Sequence, residues 1–182
     1  MRALKDSDLA LIVDKIFNQL RPIFFNMSND VEELRRFLVK AKINAYASGR
    51  EAAVLKDVCK ELIFSEGKFL YRDRYFGFNS FIGEEVVFCE EECIWGMNYY
   101  GYTIPSEGIS SKEVYAFLRE ALKRANKEKP FRGPEKYEKN FFRYVNNVEG
   151  DMRMFKGSEE IFYQGKEVYR LLYHRGSASG EP

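Results

Sequence analysis

The sequence predicts an α+β fold built from an internally duplicated unit, in which one helix is followed by an antiparallel β-meander and the helices pack on the antiparallel sheet. Three observations predict this class: a sequence repeat, an amphipathic helical pattern ahead of each copy, and alternating apolar segments that end at turn residues. The connections between these segments are short, which favours an antiparallel sheet over a doubly wound parallel one.

The repeat joins residues 81–99 to residues 155–173, which lie 74 positions further along, without a gap. Five pairs are identical: Phe81 and Phe155, Gly83 and Gly157, Glu85 and Glu159, Phe88 and Phe162, Tyr99 and Tyr173. Other pairs agree in kind, such as Trp95 with Tyr169. Two copies of so long a unit indicate a duplication rather than a solenoid, because solenoids need about three or more repeats.

A helical pattern precedes each copy. Apolar residues at spacing i, i+3, i+4, i+7 and i+11 form one stripe in each pattern, and the two patterns lie 80 positions apart. The stripes are Leu34, Phe37, Leu38, Ala41 and Ala45, and Val114, Phe117, Leu118, Ala121 and Ala125. Ser110 and Glu113 have the spacing of a capping box for the second helix, and Asn29 and Asp30 serve the start of the first.

The 182 residues suit a single α+β domain with short additions at both ends. The expected units are a helical extension over 1–28, the domain over 29–176 with repeats of about 29–101 and 108–176, and a disordered tail over 177–182. Large apolar residues at helical spacing predict a helix over residues 9–21. We expect this helix to dock on the domain or on a second subunit, which makes a homo-oligomer a candidate assembly.

Strands and loops are predicted from alternation and turn residues. Residues 62–77 indicate a hairpin with its turn at Glu66 and Gly67, and a second hairpin turns near Glu90. Residues 54–62 are compatible with a short helix. The prolines in residues 126–140 predict a loop. The last strands are expected at about 141–147, 151–156, 158–163 and 166–174.

Composition excludes several classes of function. The 29 basic residues nearly balance the 28 acidic ones, which argues against a general electrostatic grip on nucleic acid. Three cysteines do not make a disulfide scaffold, and no signal peptide is visible. The N-terminal segment is too polar for a membrane span. We therefore expect a cytoplasmic protein with no membrane association.

Glu85 and Glu159 are the strongest candidates for catalytic residues. Each shares strand parity with apolar neighbours, so each is expected to be buried and to need a donor. Two pseudo-symmetric carboxylates could flank one cleft and act in acid–base catalysis. The alternative, which we favour, is that each glutamate braces its own half through an arginine or a backbone turn.

Candidate ligand-binding residues are Arg72, Arg74, Asn98, Tyr99 and Arg132. The arginines could bind a phosphate or carboxylate, and the amide and the tyrosine belong to an aromatic strand. The alternative for the first two is an exposed strand face with a cross-strand ion pair. Arg132 lies on a loop, where an arginine can clamp an anion or brace the fold.

His174 is the only histidine in the sequence, and its ordinary pKa suits a general base. One histidine cannot form a multi-histidine metal site. Cys89 and Cys93 could in principle join it at a metal, but each could equally be a small buried hydrophobe. A P-loop, a dinucleotide fingerprint, a nucleophile elbow and zinc-site spacing are all absent from the sequence. We expect no metal and no cofactor.

Several short motifs occur in a fixed order along residues 33–176: YRDRYFG, FIGEEVVF, WGMNYYG, FRGP, FKGSEEIF and YHRG. Together they resemble a bacterial and archaeal family, domain-of-unknown-function family 5680, whose members are sometimes fused to helix-turn-helix domains. The ending HGG that is usual in the family reads His174-Arg175-Gly176 in this chain. The resemblance implies membership of a family and no mechanism.

The function that these residues favour is binding of a small polar or anionic ligand in an aromatic cleft between two pseudo-symmetric halves. One alternative is an enzyme that uses Glu85, Glu159 or His174 in acid–base chemistry. Another is a regulatory protein-interaction module. The positions of Glu85, Arg132 and His174 discriminate between these alternatives, because convergence on one pocket favours a ligand site or an enzyme.

Overall fold

The computed structural model describes residues 28–47, 52–128 and 130–177. These residues form two helices and nine strands. The elements are α1 (Ser28–Ala47), β1 (Ala53–Val54), β2 (Lys60–Glu66), β3 (Phe69–Gly77), β4 (Ser80–Cys89), β5 (Glu92–Thr103), α2 (Ser111–Leu122), β6 (Lys136–Lys139), β7 (Phe142–Gly150), β8 (Met154–Tyr163) and β9 (Lys166–Ser177). The helix predicted over residues 9–21 lies outside the described residues.

The nine strands form one sheet in the order β1-β2-β3-β4-β5-β9-β8-β7-β6. Every strand pair in it is antiparallel. Successive strands are joined by hairpins, except where α2 precedes β6. The predicted α+β class with an antiparallel sheet is confirmed.

The first repeated segment lies in β4 and β5 and the second in β8 and β9. The two segments meet where β5 pairs with β9. Phe81 lies near the start of β4 and Phe155 near the start of β8. The β4–β5 ladder shifts register after Val87, and the β8–β9 ladder shifts after Ile161, which is the matching residue of the repeat. An irregularity at the same place in both ladders is a structural likeness that a shared hydrophobic pattern alone does not require.

Both helices bury most of the stripe that the sequence predicts, although Ala45 at the end of α1 is only partly buried. Ala125 is buried but lies beyond the end of α2 at Leu122, so the second stripe is one residue shorter than predicted. The capping box at Ser110 and Glu113 is present at the start of α2. Aromatic rings link the helices to the sheet, with the Phe37 ring 5.0 Å from Phe69 and the Phe117 ring 4.6 Å from Phe142. Eight stripe residues belong to the same hydrophobic cluster as the buried side chains of the sheet: Leu34, Phe37, Leu38, Ala41, Val114, Phe117, Leu118 and Ala121.

Several local predictions are wrong. Residues 60–62 begin strand β2 instead of ending a short helix, because from Lys60 onward the residues pair with β3. The loop predicted over 126–140 contains β6, a short edge strand whose exposed lysines discourage further pairing.

Residues 151–156 and 158–163 are not two strands, because β8 runs unbroken from Met154 to Tyr163. Gly157 does not end the strand there. Its missing side chain leaves the room that the Tyr173 ring occupies. The tail was expected from residue 177, but Ser177 still belongs to β9.

The sheet has one covered face and one exposed face. The covered face, called here the inner face, carries the buried residues of β3, β4, β5, β7, β8 and β9, which pack with the helices. The opposite face, called the outer face, exposes Ile82, Tyr100 and Leu172 among others. Neither described helix combines the length and the apolar character that a membrane span requires.

Candidate functional site

Arg132 joins the two repeated glutamates in the interior. Its Nη1 donates to Glu85 Oε1 at 3.3 Å and its Nη2 donates to Glu159 Oε2 at 3.0 Å. Both glutamate side chains are 0% exposed and the arginine is 4% exposed. The expectation that both carboxylates are buried and met by a donor is confirmed, and one arginine from the loop before β6 serves both.

The second partner of each glutamate differs. Lys42 Nζ on α1 donates to Glu85 Oε2 at 2.5 Å and to the Phe131 carbonyl at 2.6 Å. Burial lowers the pKa of Lys42, and the negative charge of Glu85 opposes this shift. Glu159 instead accepts hydrogen bonds from the hydroxyls of Tyr144 and Tyr169. Glu85 thus has two cationic partners, whereas Glu159 has one cation and two neutral donors.

A tyrosine crosses a glycine in each half. The Tyr99 ring lies over Gly83 and its hydroxyl donates to Asp73 Oδ1 at 2.5 Å. The Tyr173 ring lies over Gly157 in the same way. A side chain at either glycine would collide with the tyrosine ring, so the contact explains why both copies of the repeat carry glycine there.

In the second copy of this arrangement, the tyrosine hydroxyl meets a neutral amide. The Tyr173 hydroxyl donates to Asn146 Oδ1 at 2.6 Å, and Asn146 pairs with Glu159 in the sheet as Asp73 pairs with Glu85. Asn146 and Asp73 therefore occupy matching positions. Both side chains are buried, but one is neutral and the other is an acid.

In the second half the loop before β6 fills the space next to Asn146. Asn146 Nδ2 donates to the Gly133 carbonyl at 3.0 Å, and the Gly133 amide donates to the Tyr144 hydroxyl at 3.1 Å. The ring of Phe131 packs 4.1 Å from the ring of Phe155, which is 3% exposed. The chain thus satisfies its own polar groups at this site.

In the first half the corresponding space is a cavity of about 670 Å³. Asp73 and Arg132, which are 1% and 4% exposed, are its buried charged residues among those described. Further lining residues are Ala45, Lys60, Leu62, Tyr75, Gly77, Phe78, Phe81, Tyr99, Lys112, Tyr115, Leu118, Arg119 and Leu122. The lining comes from both halves of the described chain, because the lining strands precede α2, and Arg132 follows it.

Aromatic rings form a wall of this cavity. The Tyr115 ring lies 5.2 Å from Phe78 and 6.2 Å from Phe81, and the Tyr115 hydroxyl donates to the Phe78 carbonyl. Burial raises the pKa of Tyr115 to about 12, so its hydroxyl stays protonated at neutral pH. The wall is therefore apolar and neutral, and it is held by a hydrogen bond between α2 and the β3–β4 turn.

Three cations line the same cavity at positions that solvent reaches. Lys60 is half-buried, and its Nζ lies 5.5 Å from the centre of the Tyr75 ring. Lys112 and Arg119 are exposed and lie two turns apart on α2, on the same face as Tyr115. We refer to Lys60, Lys112 and Arg119 as the basic mouth.

The sequence-based candidates divide between the two faces of the sheet. Glu85, Glu159, Tyr99 and Arg132 meet on the inner face. The remaining candidates, Arg72, Arg74, Asn98 and His174, have the opposite strand parity and lie on the outer face. Glu85 and Arg132 therefore converge, whereas His174 does not join them.

The outer-face candidates have ordinary surface contacts. Arg74 Nε pairs with Glu61 across the β2–β3 ladder at 2.5 Å, and the Arg72 guanidinium lies 5.1 Å from the Phe88 ring. Asn98 and His174 are register partners and line a depression of about 710 Å³. The charged side chains described in that depression are largely exposed, which makes it a weaker candidate than the inner cavity.

Cys59, Cys89 and Cys93 are free thiols. Within the described part of the chain, no three side chains of His, Cys, Asp or Glu lie close enough together to hold a metal ion.

The sequence-based candidates did not include three central residues of the site: Lys42, Asp73 and Asn146. A signal existed for two of them. Lys42 lies on α1 one residue after Ala41 and four after Leu38, within the apolar stripe, and Asp73 shares parity with Tyr71 and Tyr75. A charge on a buried face indicates an internal partner. Asn146 could be found only after β3 was aligned with β7.

Comparison with known proteins assigns the sequence of this chain to a family. Residues 73–178 match the family described as Domain of unknown function (DUF5680). No curated protein and no solved structure matches the chain. The matched region covers more than half of the sequence and includes Asp73, both glutamates and Arg132. The chain therefore belongs to the DUF5680 family.

Proposed function

We propose that the protein binds a small polar or anionic ligand in the inner-face cavity, between two halves that arose by duplication of a helix and an antiparallel meander. The observation that carries this proposal is a cavity of about 670 Å³ whose lining includes the buried Asp73 and Arg132. Binding sites for small molecules commonly have volumes of about 300–1,000 Å³, with mainly apolar walls and a few convergent polar groups.

Burial of charge at this place also supports a binding role. Desolvating an ion costs several kcal/mol, and replacing buried ion pairs with apolar residues is often neutral or stabilising. A chain that keeps Asp73 and Arg132 beside an open cavity retains groups that a ligand can use. The guanidinium is also held by Glu85 and Glu159, so it is oriented before a ligand arrives.

Duplication is supported by the matching positions of the two repeats. The identical pairs of the repeat lie on β4 and β5 in one half and on β8 and β9 in the other. Tyr99 and Tyr173 make the same crossing over a glycine. These likenesses concern contacts as well as sequence, which is the expected result of a common origin.

Acid–base catalysis by the glutamates or by His174 has less support. Both glutamates are fully buried beneath Arg132, where their oxygens are held by cations and hydroxyls. His174 lies on the other face of the sheet. These observations favour the bracing role of Glu85 and Glu159 that the sequence analysis preferred.

A thermal-shift screen of metabolites tests the proposal, because a ligand that binds the native state raises its melting temperature. Ala45 lines the cavity and Ala116 is exposed on the far side of α2, so Ala45→Trp and Ala116→Trp form a matched pair. We expect a stabilising metabolite whose effect is lost in Ala45→Trp and kept in Ala116→Trp. A ligand that stabilises both variants equally binds elsewhere and contradicts the proposal, as does a broad screen with no hit.

A further inference from the structure

The filled site in the second half is a template for the ligand of the open site in the first half. Around Asn146 the occupant is the chain itself: the Phe131 ring packs on Phe155, and the Gly133 carbonyl accepts a hydrogen bond from Asn146. The occupant therefore presents an aromatic ring and, two residues away, a polar group that matches the side chain at the centre of the site.

The corresponding residues of the first half face the cavity. Phe81 matches Phe155, and its ring makes the same edge contact with Tyr99 that Phe155 makes with Tyr173. Phe81 is only half-buried and lines the cavity, whereas Phe155 is covered by Phe131. A ligand ring at the place of Phe131 would complete the burial of Phe81 and contact Tyr115 on α2.

The exchange of Asn146 for Asp73 reverses the hydrogen bond that the occupant must make. The amide of Asn146 donates to a carbonyl, whereas an ionised carboxylate accepts only. A group that meets Asp73 must therefore donate, and an N–H or an ammonium does so most strongly toward a carboxylate. The template thus predicts a nitrogen donor on the ligand where the second half has a carbonyl.

The basic mouth supplies the third element. Lys60, Lys112 and Arg119 put three positive charges at the accessible end of the cavity. Asp73 is buried, as is Arg132, whose charge is met by Glu85 and Glu159. An anionic group on the ligand is favoured at the mouth, where it stays partly solvated and can meet an arginine bidentately. The opposite orientation would bring a ligand cation against three cations.

We propose that the ligand is an aromatic compound that carries a nitrogen donor and an anionic group, as a zwitterionic aromatic amino acid does. Its ring packs against the cavity side of Phe81 and Tyr115, its nitrogen donates to Asp73, and its anionic group meets Lys112 and Arg119. This inference rests on the proposed function, since it names the ligand class of the same cavity.

Calorimetric titration with four probes tests the three elements separately. L-phenylalanine carries all three, phenethylamine lacks the carboxylate, 3-phenylpropanoate lacks the amine, and the phosphonate analogue of phenylalanine replaces the carboxylate by another anion. We expect L-phenylalanine or its phosphonate to bind roughly ten- to a hundredfold more tightly than either truncated probe, because each lost contact is a charge-assisted hydrogen bond. The better binder of the two identifies the anion.

Two variants assign the contacts. Asp73→Asn should lower the affinity of L-phenylalanine toward that of 3-phenylpropanoate, and Lys112→Gln combined with Arg119→Gln should lower it toward that of phenethylamine. Lys156→Gln, on the exposed outer face, should leave all affinities unchanged. Melting temperatures of the unliganded variants show whether each remains folded, and the probe series on the parent protein decides the matter if one does not.

The outcomes separate this inference from the proposed function. Equal affinity for the full and the truncated probes overturns the ligand class. So does a failure of every aromatic probe to bind while the metabolite screen finds a ligand that Ala45→Trp abolishes, and in that case the cavity keeps its binding function. If neither the probes nor the screen detects binding, both proposals fail.

Discussion

The two halves of the sheet share one arrangement of buried side chains but differ in the residue that the tyrosine hydroxyl meets. In each, a tyrosine crosses a glycine to meet a buried side chain that pairs with a repeated glutamate. In the second half that side chain is Asn146, and the loop from Phe131 to Gly133 covers it. In the first half it is Asp73, and a cavity lies beside it.

This difference teaches how one repeated unit can provide both a structural anchor and a site. The second half uses its pocket to hold a loop, and that loop presents Arg132 to both glutamates. In the first half the pocket is open, and an acid lies at the position where the second half has a neutral amide. In the account proposed here, the filled half supports the fold and the open half is left for binding.

The largest effect is expected from Arg132→Gln. The substitution leaves Glu85 and Glu159 buried with one cationic partner fewer, and breaking a buried ion pair from one side costs about 3–5 kcal/mol. Urea unfolding measures the change in unfolding free energy. Arg36→Gln, at an exposed position of α1, is the control and should change it little. A loss below about 1 kcal/mol in Arg132→Gln, the value typical of a surface pair, would contradict the bridging role.

The two glutamates allow a direct comparison of the halves. Glu85→Gln and Glu159→Gln should each cost on the order of 1–3 kcal/mol, because removing the charge strands a donor. Glu85→Gln should cost more, since it leaves Lys42 without its carboxylate, whereas Glu159→Gln keeps the tyrosine hydroxyls as partners. The same unfolding measurement decides, and a larger loss in Glu159→Gln would reverse the comparison.

Exchanging the acid and the amide at the matching positions gives a smaller effect. Asn146→Asp loses the donor to the Gly133 carbonyl and adds a charge beside Glu159, so it should cost about 1–3 kcal/mol. Asp73→Asn keeps an acceptor for the Tyr99 hydroxyl and should cost less. Melting curves of the two variants test this order. Equal losses would mean that the open half depends on its acid for folding as well.

The smallest effect concerns alkaline pH. Burial raises the pKa of Tyr169 well above its ordinary value of 10.0, and the charge of Glu159 adds to the shift. The folded chain therefore keeps a proton that the unfolded chain releases, so this contribution to stability is present below about pH 10 and is lost as the pH rises further. Tyr144 shifts in the same direction, whereas the pKa of Arg175, lowered to about 9 by burial, acts with the opposite sign.

Comparing the parent with Tyr169→Phe isolates one tyrosine from these opposing groups. The difference in unfolding free energy should be constant below pH 9 and should then move in favour of the variant by about 1.4 kcal/mol per pH unit above pH 10. Urea unfolding at a series of pH values measures it. A difference that stays constant to pH 12 would show that Tyr169 ionises alike in the folded and unfolded chain.

Local patterns predicted much of this structure, because they depend on neighbouring residues. The helical stripes, the capping box at Ser110 and the burial of Glu85 and Glu159 follow from spacing and parity. Strand boundaries were predicted less accurately where one residue type is compatible with two structures. A glycine can end a strand, but Gly157 lies inside β8, where the Tyr173 ring packs against it.

The site was predicted in parts. Tyr99 and Arg132 were named and both line the cavity, but the pairing of Arg132 with both glutamates joins residues 47 and 27 positions apart, which periodicity cannot reveal. His174 and Asn98 were candidates by residue type, and strand parity puts them on the other face. Which half is open depends on the path of the loop through Phe131, a tertiary property.

Crystallographic soaking with a library of small polar aromatic fragments tests the central claim most directly, because both pseudo-equivalent sites are then sampled in one molecule. We predict fragment density beside Phe81 and Asp73, with none beside Phe155 and Asn146, where the chain occupies the corresponding place. Density at neither site, or a fragment that displaces Phe131 and binds beside Asn146 while the cavity at Asp73 stays empty, would contradict the account.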